Sequence, residues 1–215
     1  MQRLLLLVLL LLAAPLAPAQ QPSYAGHDDA VRAADSADPD ARADAIRWIA
    51  GHGTQDDARL LLRHLADDDG DVRAAAEAAL WVLWSRSGDA DIDALLLRGI
   101  DEMGNGNLDA SIATFSSIIE RRPDFAEGWN KRATALFLAG EFRRSLADCA
   151  EVIKRNPAHF GALAGYGQIY FQLEQYDRAI VFWKRALEVN PNMTGVAISI
   201  KATEQLIADR RKRTV

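Results

Sequence analysis

Cysteine occurs once in the 215 residues, at Cys149, histidine only four times, and cations are outnumbered: 25 Lys and Arg face 30 Asp and Glu. A single thiol excludes an internal disulfide framework and any multi-thiolate zinc site. His27, His52, His64 and His159 are scattered and form neither an H-x3-H nor an HExxH pair, so no metal site is expected. A net charge of -5 lacks the cationic excess by which general nucleic-acid binders displace counterions from phosphates. Gly104-Asn105-Gly106 is too short for a phosphate loop and lacks a following Lys-Ser/Thr. The acidic stretch Asp67-Asp68-Asp69-Gly70-Asp71 puts Val72 sixth and Ala78 twelfth, where a calcium loop needs Gly and Glu. Cys149 falls on an apolar helical stripe and reads as a small filler. No constellation for running a reaction is present, so neither enzymatic activity nor a cofactor is expected.

Long apolar runs are also missing, apart from one at the start. Arg3, the apolar stretch Leu4 to Ala14, and Ala17-Pro18-Ala19 have the three parts of a secretory signal peptide over residues 1–19. The run would rise only about 16 Å as a helix, half a hydrocarbon core, so stable membrane insertion is not expected. The short leader and the alanine- and arginine-rich usage point to export into a bacterial periplasm. Residues 20–39 are rich in Ala, Asp, Ser and Pro and read as a flexible linker with one short helix near Asp29 to Ser36. From His27 to Asp93 there are sixteen acidic and seven basic residues; from Ala94 onward, fourteen and seventeen.

What the sequence does have is a period. Pro123, Pro157 and Pro191 stand 34 residues apart, and Gly99, Ala133 and Gly167 recur in the same frame, as do Leu95, Trp129 and Leu163. Each copy holds two apolar stripes at i, i+3/i+4, i+7 separated by a short turn such as Asn105-Gly-Asn107 or Ala139-Gly-Glu141, which is a helical hairpin. The small residue lets the first helix approach the second, while Phe115, Cys149 or Trp183 fills the space opposite. The proline ends each pair by removing an N–H and forcing its predecessor out of the helical region.

The copy Leu163-Ala-Gly-Tyr166-Gly167-Gln-Ile-Tyr170, followed by Tyr176, Ala179, Trp183, Ala186 and Pro191, resembles the tetratricopeptide repeat (TPR). The preceding copy matches through Trp129, Ala133, Leu136, Phe142, Ser145, Cys149, Val152 and Pro157, and the first, looser copy through Leu95, Gly99, Leu108, Ser111, Phe115, Ile118 and Pro123. The resemblance implies an all-α fold, a right-handed α-solenoid of three hairpins at 92–125, 126–159 and 160–193. Residues 194–215 follow as a capping helix, with Val196, Ile200, Leu206 and Ile207 on one side, and a basic tail. Upstream, residues 40–88 resemble a HEAT-type segment: Leu60 to Leu65, then Asp69 or Asp71 as a helix cap, Val72-Arg73 and the alanines Ala75, Ala76 and Ala79. Such a short array is expected to pack on the first TPR hairpin through Trp81, Leu83 or Trp84.

The resemblance also implies that first helices line a concave groove. Its expected contact residues are Met103, Glu127, Asn130, Thr134, Phe137, Gln168, Phe171 and Gln172, amides for orientation and apolar side chains for anchoring. The five-residue clamp by which some TPR domains grip chaperone tails is absent: Leu96, Ile100, Gly161 and Gly165 stand at four of its positions and only Lys131 is polar. The expected role is a non-enzymatic scaffold or adaptor for a protein or peptide partner in the cell envelope; the alternative is a self-associating structural component of that envelope. Arg210, Arg211, Lys212 and Arg213 offer an anionic contact, against the plainer role of favouring the helix C-terminal dipole.

Overall fold

The computed structural model describes residues 24–213, and all regular structure among them is helical. The signal-peptide reading of residues 1–19 lies outside the described residues. The helices run α1 (His27–Ala34), α2 (Pro39–His52), a 3-10 turn (Gln55–Asp57), α3 (Ala58–His64), α4 (Gly70–Trp84), α5 (Ala90–Gly104), α6 (Leu108–Arg121), α7 (Ala126–Leu138), α8 (Phe142–Arg155), α9 (Phe160–Gln172), α10 (Tyr176–Val189) and α11 (Thr194–Arg213).

Aspartates start the early helices. Asp38 accepts from the Asp40 amide with Pro39 at the first helical position, Asp69 accepts from Asp71 and Val72, and Asp89 accepts from Asp91 and Ile92. The stretch 20–39 is therefore not all linker: α1 packs on α2 with Ala30 and Ala34 fully buried, because alanine needs little partner surface to disappear. His27 hydrogen-bonds Asp57 at 2.8 Å, tying α1 to the turn before α3. Arg42 grips the half-buried Asp67 with two hydrogen bonds of 2.7 and 2.9 Å and also donates to the carbonyls of Ser36 and Ala37. One side chain thus joins the α1–α2 and α3–α4 turns.

From α5 onward the helices alternate as first and second members of three hairpins, α5–α6, α7–α8 and α9–α10, with α11 packed on α10. The close approach expected at the small residues is present. A Cβ at Gly99 would meet the Phe115 ring at 2.4 Å, and one at Gly167 would meet the Trp183 indole at 2.3 Å. In the middle hairpin the Ser145 hydroxyl donates to the Ala133 carbonyl at 2.7 Å. Gly106 and Gly140 turn each hairpin with φ of 78°; the third repeat has Glu174 in that register, held at φ 57°.

The segment of α2 to α4 does not pack on the first hairpin, as the tryptophans suggested. Its apolar cluster takes in Phe160, fully buried, together with Val189 and Met193 of the third repeat. Trp84 stacks on His159 with centroids 4.5 Å apart, Trp81 meets Phe160 edge-on at 5.2 Å, and the Asn192 amide donates to the Leu65 carbonyl at 2.7 Å. Leu83 is buried within its own unit. The chain reaches this position because the connectors after each second helix, at residues 156–159 and 190–193, share one edge of the solenoid. Large rings from α4 find apolar partners there, each buried ring contributing about 1.5–3 kcal/mol.

Candidate partner-binding groove

Successive first helices touch one another, α5 with α7 and α7 with α9, and form the inner wall. Of the residues expected to face a partner there, four converge. Asn130, Thr134 and Phe137 of α7 and Gln168 of α9 line one pocket of about 120 Å³. Gly161, Gly165, Ala162 and Ile169 of α9, Ala133 of α7, and Ser145 and Cys149 of α8 complete its lining.

Gly161 and Gly165 lie one turn apart on α9: the space a side chain at Gly161 would take is filled by Trp81, whereas the missing side chain at Gly165 leaves the pocket open as far as Cys149 on the second helix. A Cβ at Gly165 would meet nothing within 4 Å. Burial, with help from Asp148, pushes the Cys149 thiol up to about 12, so it is a neutral, apolar wall element. At the rim the Thr134 hydroxyl donates to the Asn130 carbonyl at 3.0 Å, and the Gln168 carboxamide makes no hydrogen bond to a described residue. Phe137 is half-buried, its ring tilted against Phe142 at 5.6 Å.

The other expected contacts are elsewhere. Glu127 is fully enclosed: its carboxylate meets the Lys131 ammonium at 3.0 Å, the His159 ring at 3.1 Å and the Asn130 amide at 3.1 Å. Burial alone would raise its pKa; Lys131, and then the His159 hydrogen bond, outweigh that and hold it low. His159 Nδ1 accepts from the Ala162 amide, so the same ring caps α9 and places Nε2 toward Glu127. Trp84 stacks over that ring and Trp81 lies against Gly161, so the N-terminal unit covers this end of the inner wall. Glu127 is therefore part of an internal junction and not a partner contact.

Phe171 packs against Tyr176 and Trp183, at 5.4 and 5.8 Å, in the core of the third hairpin; it is half-buried because a ring at that register reaches across to α10. Met103 is half-buried against the first hairpin's cluster, away from the pocket, and Gln172 is exposed at the end of α9. Near the C-terminus, Arg210 bonds Glu174 at 3.2 Å and the Tyr176 hydroxyl at 3.0 Å, Arg211 lines the same shallow depression, Lys212 pairs with Asp209, and Arg213 ends α11. Among the described residues no group of His, Cys, Asp or Glu could hold a metal ion, and no helix is long and apolar enough to cross a membrane.

Family models for the tetratricopeptide repeat match residues 96–147 and 163–193. A TPR repeat-containing protein of Rhizobium etli is 34% identical over 111 residues, which is 50% of this chain and 53% of the relative. A probable UDP-N-acetylglucosamine–peptide N-acetylglucosaminyltransferase of Arabidopsis thaliana is 31% identical over 98 residues, 43% of this chain and 10% of that enzyme. The chain therefore spans about half the length of the first relative and a tenth of the second. Among solved structures, the first TPR of Spaghetti (RPAP3) bound to an HSP90 peptide superposes with a TM-score of 0.54 at 22% identity, over 56% of this chain and 96% of that one. The TPR2B domain of yeast Sti1 in complex with an Hsp70 peptide gives 0.52 at 20% identity, over 55% and 99%. At these identities the likeness establishes the fold.

Proposed function

Since the second half of the chain is a tetratricopeptide-repeat solenoid, we propose that it is a non-enzymatic module that binds a peptide segment of a protein partner on the open part of its inner wall. One observation carries this: the pocket between α7 and α9, floored by Cys149 and Ser145 and rimmed by Asn130, Thr134, Phe137 and Gln168. Its volume is of the order of the apolar cavities that accept a six-carbon ring, about 150 Å³, so it suits one aliphatic side chain such as Leu, Ile or Met. The rim amides then bond the peptide backbone on either side, which orients the segment without needing charge. Because helices and glycines hold the pocket open before binding, little ordering entropy is lost on the protein's side. The two peptide complexes among the structural neighbours support this class of ligand.

The test is selection of a displayed random-peptide library against the full chain, followed by amide hydrogen exchange of the complex with the best synthetic peptide. Enriched peptides share one aliphatic residue, and protection on binding concentrates at residues 130–137 and 161–169. Protection confined to the outer helices α6, α8 and α10 contradicts the proposal. We place the protein, on its leader sequence, in the periplasm; cell fractionation and N-terminal sequencing, with a mature start near Gln20 or Gln21, test that independently.

A further inference from the structure

The two ends of the chain carry opposite charge that the fold leaves unspent. Residues 24–84 hold thirteen acidic and six basic side chains, residues 142–213 seven and twelve. Every ion pair made by a described carboxylate of the first segment stays inside that segment, so the attraction between the halves is not used in packing them together.

Both surfaces are built rather than scattered. Arg42 binds the α1–α2 turn to the α3–α4 turn, which gathers the exposed Asp35, Asp40, Asp68 and Asp71 along one edge. On the far side of the repeats from the inner wall, Arg143 of α8 and Arg178 and Arg185 of α10 are exposed. Arg178 lies over the Tyr170 ring at 5.6 Å and donates to the Gln175 carboxamide, and Arg185 lies over the Phe182 ring at 5.1 Å; neither makes an ion pair with a described carboxylate. Between them on the same helix is Val181, 55% exposed, an apolar centre flanked one turn away by three cations, Arg178, Lys184 and Arg185, and one carboxylate, Asp177.

We propose that this outer wall receives the acidic edge of a second copy of the chain. Each molecule carries both complementary faces, which do not coincide, so the contact is head-to-tail and a bound copy presents a fresh wall to the next. The proposal does not use the inner groove and stands or falls apart from the peptide-binding reading.

Sedimentation of the chain from Gln20 onward tests it. At about 20 mM salt the weight-average mass is at least double that at about 0.5 M, where screening shortens the reach of surface charge to a few ångströms. Arg178→Glu with Arg185→Glu destroys only the wall, and Asp35→Lys with Asp68→Lys only the edge, so each double variant alone is monomeric. Mixed, the two make a dimer and nothing larger, because each supplies the one face the other retains. A wild type that is monomeric at low salt, variants that still assemble, or a mixture that stays monomeric overturns the proposal. So does a wall that captures vesicles of anionic lipid while the mixed variants remain apart. Unchanged circular dichroism and melting of both variants confirm that the readout is association.

Discussion

The indole of Trp81 occupies the space that a side chain at Gly161 would need: a Cβ there would fall 2.3 Å from the ring. Helix α4 and helix α9 are 80 residues apart in the chain, yet one exists in its present position only because the other lacks a side chain. The inner wall is thereby divided. The part at the start of α9 is closed by the protein's own tryptophans, and the pocket behind Gly165 stays open.

Gly161→Val forces Trp81 off α9 and costs about 1–3 kcal/mol, the range for overpacking a well-fitted contact. Chemical denaturation reads the loss, and a change in tryptophan fluorescence at zero denaturant assigns it to this contact. A variant as stable as the wild type with unchanged emission would mean that the N-terminal unit does not rest there.

Phe171 and Phe137 separate core from groove. Phe171→Ala removes a half-buried ring packed on both Trp183 and Tyr176 and lowers stability by about 2 kcal/mol, more than Phe137→Ala, whose ring meets Phe142 alone among aromatics. Thermal melts of the two single variants decide it; equal, small shifts would return Phe171 to the partner-binding face.

The Asp67 carboxyl is held down to about 2, first by its hydrogen bonds from Arg42, against the opposing cost of burial, and further by the Asp69 amide and His64. A depressed carboxylate adds stability that is complete above its unfolded pKa near 4 and lost as pH falls toward 2. Asp67→Asn therefore lowers stability at pH 7 by on the order of 1–2 kcal/mol and has little effect near pH 2. Urea titrations at the two pH values check this, and an equal loss at both would show that the ion pair is not the cause.

Much of this was legible in advance, for a physical reason. A helix pair repeated every 34 residues writes its core into the sequence: Gly99 opposite Phe115 and Gly167 opposite Trp183 are local complementarities sixteen residues apart. The docking of α4 was not legible, because Trp81 and Phe160 meet across 79 residues of chain and no periodicity encodes which apolar edge a lone ring will find. Glu127 looked like a groove residue because its register faces inward; only the arrival of Trp84 over His159 encloses it. Gly161 and Gly165 were visible as missing clamp side chains, and the bare face at Gly165, read as space, signals the pocket.

Glu174 holds a left-handed φ of 57° where the other two repeats have glycine. That conformation costs a side-chain-bearing residue about 1–2 kcal/mol, while its exposed pair with Arg210 returns little. Glu174→Gly raises stability by about 0.5–1 kcal/mol, part of the relief being offset by the freer unfolded chain. A lower melting temperature for the variant would show that the turn is not strained.

The pocket itself is tested by Gly165→Leu, whose Cβ meets no atom within 4 Å and whose branched end enters the open space beyond it. Calorimetric titration of the library-selected peptide into this variant and into the wild type, with melting curves alongside, measures the claim directly. The account predicts at least a tenfold loss of affinity at unchanged stability. Equal affinity for the two proteins would contradict it.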